Sequence, residues 1–260
     1  MAPDYPIPNT FDSAGWPSRL PDDGEIHLWW IDLKPSAREV ASAHRLLDAE
    51  EVDRASRFKF DRHRRRFTMR RAQLKRLCAA YLGITPRQVE FALGPKGKPS
   101  LAPHLTRSLP QPLELNLSDS EDVAVVGFKV GRELGVDVEC VREMRDAVPI
   151  SKSFFAKAEQ EIMASAPDTL RDDTFFRCWT RKEAYIKAVG EGLSLPLDSF
   201  TVTMTAREPV KFLQFVGHPG EEKHWSLSHF EPVPKVFVAV AVRQSEPSFR
   251  FFRTPSVDFE

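Results

Sequence analysis

Two stretches of this chain, LELNLSDSEDVAVVGF starting at Leu113 and HWSLSHFEPVPKVFVAVAV starting at His224, follow one plan. Each is an alternating strand, a serine-bearing polar turn and a valine-rich strand, and each lies downstream of a basic amphipathic helix. That recurrence predicts an α+β unit used twice, with the junction near Val130 to Glu133. Two similar halves would meet at a central groove, a common place for a ligand.

The remaining segments fit this frame. EIHLWWIDL reads as a strand, and PSAREVASAHRLLDAEEVDRASRF as one or two helices. RHRRRFTMRRAQLKRLCAAYLG reads as a longer helix with Gly83 just past its end, where a glycine can take the left-handed turn that stops a helix. In the second half ELGVDVECV is a strand. SKSFFAKAEQEIMAS and DDTFFRCWTRKEAYIKAVG are helices, and LDSFTVTMT and VKFLQFV are strands. The expected organisation is an irregular N-terminal arm (1–24), an N-terminal α+β half (25–130), a C-terminal α+β half carrying the metal site (131–243) and a C-terminal tail (244–260). The arm is rich in Pro, Asp and Gly and is ordered only if Tyr5, Phe11 or Trp16 packs onto the body.

Charge excludes some functions. Lys plus Arg and Asp plus Glu are equal at 37 each, so no net field draws nucleic acid or membrane to the chain. The basic run Arg62 to Arg76 is mostly a solvated helix face, so nucleic-acid binding is a distant third reading. No apolar run reaches the length of a membrane span, and no signal peptide is expected. Three scattered cysteines fit a reducing cytosol, and a cytoplasmic location is expected. The histidines lack metal-type spacing and there is no nucleophile elbow, which gives hydrolase and zinc-enzyme readings little support.

The candidate chemistry lies in two motifs. GVDVE puts Asp137 and Glu139 at i and i+2, on one face of an apolar strand. Two carboxylates a few Å apart repel by roughly 4 kcal/mol at an effective dielectric near 20. A hard divalent cation would compensate, and oxygen ligands favour Mg²⁺ or Mn²⁺ over zinc; a strand end where both acids reach water is the alternative. In the helix, Trp179, Glu183 and Lys187 stack at i, i+4 and i+8. Glu183 and Lys187 are either a solvated ion pair, worth a few tenths of a kcal/mol, or part of a phosphate-handling site. Lys182, offset by one position, is expected elsewhere along the groove. GPKGKP sets Lys96 and Lys98 among glycines and prolines, as a phosphate-contacting turn or an exposed hairpin.

GVDVE followed by WTRKEAYIKAVGEGLSLPLDSF resembles the paired signature of 4'-phosphopantetheinyl transferases of the larger, surfactin-activating (Sfp) type. RFKF, GKP and NLSDS add matches in the first half, and the resemblance spans Glu51 to Val242. It implies a pseudo-twofold pair of α+β halves acting as a monomer. The implied reaction moves the phosphopantetheine arm of coenzyme A to a serine of an acyl, polyketide or peptidyl carrier protein, releasing adenosine 3',5'-bisphosphate. It further implies that Asp137, Glu139 and Glu183 bind Mg²⁺, that Glu183 takes the serine proton directly or through a metal-bound water, and that Lys187 stabilises or protonates the departing oxygen. Lys96, Lys98, Arg54, Arg66 and Ser118 would contact coenzyme A. The family pattern carries histidine after this serine, whereas here it is Asp119, which either turns away, pairs with an arginine or weakens the nucleotide site. That departure motivates the rival reading of a non-catalytic coenzyme A- or carrier-binding relative. Phe154, Phe155 and Lys157, or the basic helix near Arg65, are the candidate carrier surfaces.

Overall fold

A computed structural model describes residues 15–94, 96–131 and 133–255. The first half runs β1 (Glu25–Asp32), α1 (Ala37–His44), α2 (Ala49–Ser56), α3 (Asp61–Leu82), the short hairpin β2 (Phe91–Leu93) and β3 (Pro99–Leu101), α4 (Pro103–Thr106), β4 (Leu113–Ser120) and β5 (Val123–Val130). The second runs β6 (Leu134–Cys140), α5 (Ala147–Phe154), α6 (Lys157–Ser165), α7 (Asp168–Val189), the hairpin β7 (Phe200–Val202) and β8 (Phe212–Phe215), β9 (Ser226–Val233) and β10 (Val236–Val242). A last strand, β11 (Ser248–Arg253), follows.

The halves repeat each other in order and in pairing. Antiparallel β1–β5–β4 in one corresponds to antiparallel β6–β10–β9 in the other. In each, a 22-residue helix, α3 or α7, follows the first strand and ends on a left-handed glycine, Gly83 (φ 66°) or Gly190 (φ 78°). The architecture is α+β with two similar halves related by a pseudo-twofold.

Strand alternation sorts side chains into three cores. Ile26, Leu28 and Trp30 of β1 meet Leu134, Val136 and Val138 of β6 between the two sheets. The opposite face of β1, with Trp29 and Ile31, packs under α3. Ala239 and Ala241 of β10 pack under α7 with Phe175, Phe176, Ala184 and Ala188. Helix, sheet, sheet and helix therefore stack as layers, and the odd-numbered positions of β6 look toward α7.

Two expectations change. SKSFFAKAEQEIMAS is not one helix, because Phe155 and Ala156 are extended between α5 and α6. Fully buried Phe155 plugs the second core, and Glu159 returns to cap the N–H of Ala156. The region beyond 243 is not merely a tail, since β11 adds to the first-half sheet parallel to β1, with Phe252 stacked on Trp29 at 4.5 Å. In the arm, Trp16 and Leu20 pack on the first core and Arg19 pairs with Glu25, whereas Tyr5 and Phe11 lie outside the described residues.

Candidate active site

Gly135 sets the geometry. A Cβ there would collide with the carbonyl of Ala184 and the backbone N of Ala188, so only glycine lets β6 lie this close to α7. Two and four residues on, Asp137 and Glu139 leave the same face of the strand and come beside Glu183 and Lys187.

Asp137 is 4% exposed. Its Oδ1 accepts from Lys187 Nζ at 2.6 Å and from Ser118 Oγ at 2.8 Å, and Ser118 Oγ in turn accepts from Lys187 at 2.8 Å. Its Oδ2 is buried with no hydrogen-bond partner. Glu139 accepts from Ser120 Oγ at 2.8 Å and from Arg142 at 3.3 Å. Burial is the largest cause raising all three carboxyl groups above their ordinary range. For Asp137, Lys187 opposes the shift; for Glu139, the neighbouring Asp137 charge adds to it. Glu183 is pushed up to about 7 by burial and by the charge of Asp137, against the pull of Lys187. Mutual influence of this kind means that the three acids share one field.

The other predicted residues divide into two groups. Arg54 and Asp119 line a cleft of about 810 Å³ between α2, α3, the β2–β3 hairpin and β4, together with Arg57, Arg70, Arg71 and Phe67. Asp119 pairs with Arg70. Arg66 is engaged instead with Asp122 at 2.7 Å and with Glu121. Lys98 is held by Glu114 at 2.6 Å and by the carbonyls of Leu134 and Ala188, while exposed Lys96 reaches Ser194. Ser118 points away from the cleft, into the carboxylates. Trp179 stacks on Phe175 and packs partly buried against the second core. Lys182 is not in the groove; it is fully buried against Glu159. Phe155 is buried and Phe154 exposed, so the two do not form one apolar surface.

Residues that sequence reasoning missed are chiefly Asn116 and Ser120 of β4, which flank the predicted Ser118. Asn116, Ser118 and Ser120 alternate along one face and stitch it to β6, with Asn116 accepting from the Val136 N–H at 2.8 Å and Ser120 from the Cys140 N–H at 3.1 Å. The alternation of Asn116, Ser118 and Ser120 with Leu115 and Leu117 was the available signal. Arg70, in reach of Asp119, was hidden within the basic run.

The donor set suits a hard cation: three carboxylates, no sulfur or imidazole, and one orphaned buried oxygen on Asp137. Among the described residues no three His, Cys, Asp or Glu side chains stand close enough to hold a metal as they are. Asp137 and Glu139 each have one oxygen turned to protein donors, so closure around an ion requires side-chain rotation.

Comparison with known proteins agrees across the chain. Residues 133–241 match the model of the 4'-phosphopantetheinyl transferase superfamily, and residues 30–130 match that of the 4'-phosphopantetheinyl transferase N-terminal region. The 4'-phosphopantetheinyl transferase HetI of Nostoc sp. is 36% identical over 218 residues, covering 84% of this chain and 87% of the relative. The 4'-phosphopantetheinyl transferase of Bacillus subtilis is 32% identical over 69% of this chain and 76% of its own length. The L-aminoadipate-semialdehyde dehydrogenase-phosphopantetheinyl transferase of Mus musculus is 30% identical over 82% of this chain and 72% of its own.

Proposed function

The chain belongs to the 4'-phosphopantetheinyl transferase superfamily, and from that premise we propose that it converts apo carrier proteins to the holo form as an enzyme of the larger, surfactin-activating type. The substrates are coenzyme A and an acyl, polyketide or peptidyl carrier domain. A carrier serine oxygen bonds to the phosphorus next to the pantetheine arm, the P–O bond to the nucleotide breaks, and adenosine 3',5'-bisphosphate leaves. The observation that carries this reading is the cluster of buried Asp137 with partly buried Glu139, Glu183 and Lys187 at the junction of the halves, beside an arginine-lined cleft.

Each residue has a task suited to its surroundings. Glu183, partly shielded from water and facing the groove, accepts the serine proton. Lys187 places a cation one helical turn away, where negative charge grows on the departing phosphate. Arg54, Arg57 and Arg70 hold the nucleotide phosphates, since guanidinium groups match phosphate oxygens in pairs. Lys96, exposed beside Ser194 and Glu191, is assigned to the same use, and Ser118 keeps Asp137 and Lys187 in register. Asp137, Glu139 and Glu183 would hold Mg²⁺, or Mn²⁺ in its place, which when bound supplies positive charge to the pyrophosphate. No described helix is long and apolar enough to cross a membrane. A monomer in the cytoplasm fits a chain that holds both halves.

Release of adenosine 3',5'-bisphosphate, followed chromatographically with coenzyme A, an apo carrier and Mg²⁺, tests this reading. Product is expected only when carrier and metal are both present. Coenzyme A bound without any product in the presence of several carriers would leave the non-catalytic binding reading in its place.

A further inference from the structure

Both halves contain the same buried ion pair, and only one of the two adjoins the carboxylates. In the second half Lys182 and Glu159 are each 0% exposed and 2.8 Å apart. Lys182 also donates to the carbonyls of Leu197 at 2.7 Å and Phe200 at 2.5 Å. Glu159 accepts from the N–H groups of Ala156 at 2.9 Å and Val202 at 2.8 Å. In the first half Lys75, 2% exposed, lies 2.7 Å from Glu51 and donates to Leu46 O and Asp48. Glu51 and Glu159 each stand third in a short helix and cap the N–H before it. Lys75 and Lys182 each stand eight positions before the glycine that ends their long helix.

A buried ion pair is weak evidence of stabilisation, because apolar residues of similar volume often serve as well or better. Its distinctive property is direction. Lys182 has three fixed acceptors on α6, on the turn before β7 and at its first residue, so α7 cannot turn about its axis without breaking them. Glu183 is the next residue, and a helix advances about 100° per residue. We propose that Lys182 and Glu159 are positioning residues for the transfer reaction, fixing the rotation of α7 so that Glu183 and Lys187 face Asp137 and Glu139. The first-half pair does the same for α3 at the cleft, where Glu51 and Arg71 are both lining residues. This inference rests on the transferase reading.

The test replaces each pair by an apolar one, Lys182→Met with Glu159→Leu, and separately Lys75→Met with Glu51→Leu. Turnover is normalised to folded protein measured by thermal unfolding. The second-half variant is expected to unfold at a temperature near that of the wild type and to lose about tenfold or more in kcat, with KM for coenzyme A changed by less than about twofold. The first-half variant is expected to raise KM for coenzyme A more than it lowers kcat. Should the second-half variant not fold, Glu159→Gln, equal in size but with an NH₂ donor where one carboxylate oxygen accepted, breaks part of the network that holds Lys182 and carries a loss of kcat in the same direction. Wild-type kcat in whichever of these folds, measured beside an active wild type, overturns the inference alone. A wild type that transfers nothing overturns the transferase reading and this inference with it.

Discussion

Ser118 sits between an acid and a base that would otherwise meet unbraced. Its hydroxyl donates to Asp137 and accepts from Lys187, so removing it leaves a buried carboxylate with one hydrogen bond fewer. Ser118→Ala is expected to lower kcat/KM by roughly tenfold, the scale of losing a hydrogen bond to a charged group, with coenzyme A affinity less affected; unchanged kcat/KM would show the brace to be dispensable. Asp119 is held by Arg70 inside the cleft. A histidine there frees Arg70 for phosphate and removes a negative charge, so Asp119→His is expected to tighten coenzyme A binding by a few-fold, the scale of a partly exposed ion pair of about 1 kcal/mol. Titration calorimetry that finds equal or weaker binding contradicts this. The grouping of Asp137 with Glu139, and of Glu183 with Lys187, was legible in the sequence because both depend only on the periods of a strand and a helix. The role of Ser118 was not, because it arises from contact between β4 and β6, which no local period encodes.

Among the elements, β6 and α7 form the pair on which the site depends, and Gly135 is what lets them touch. Gly135→Ala forces the helix away from the strand; overpacking of this kind costs roughly 1–3 kcal/mol. A lowered denaturant midpoint and a lower turnover per folded molecule are expected, the second because Glu183 and Lys187 move with the helix. Full turnover with reduced stability would mean that the distance from β6 to α7 does not govern the chemistry. Both long helices could be read from apolar periodicity and their closing glycines. The break between α5 and α6 could not, since FFAKAEQ has helical propensity throughout and only the burial of Phe155 and the cap on Ala156 interrupt it. The burial of Lys182 was equally hidden, since its partner Glu159 lies on another helix.

At the scale of the molecule, the doubled order of strands and helices was legible because each half repeats the same hydrophobic periods. The pairing of β11 with β1 was not, as it joins residues more than 200 positions apart. The second half also contains His229, whose Nε2 lies 3.1 Å from Arg177. Burial, then the charges of Arg181 and Arg177, pushes its pKa well below the ordinary value. Below about pH 6.5 the unfolded chain takes up a proton that the folded imidazole refuses. The stability His229 contributes is therefore present above that pH and lost as pH falls. His229→Gln is expected to flatten the fall in Tm between about pH 7.5 and about pH 5.5 relative to the wild type; an unaltered slope would contradict the assignment.

One site, built from β6 and α7, is proposed to transfer the phosphopantetheine arm. Intact-mass spectrometry of an apo carrier protein incubated with coenzyme A and Mg²⁺ tests it most directly, with wild type and Glu183→Gln side by side. The carrier is expected to gain the mass of one phosphopantetheine with the wild type, and EDTA or Glu183→Gln is expected to abolish the gain. A carrier modified equally well by Glu183→Gln, or by the wild type in EDTA, would contradict it.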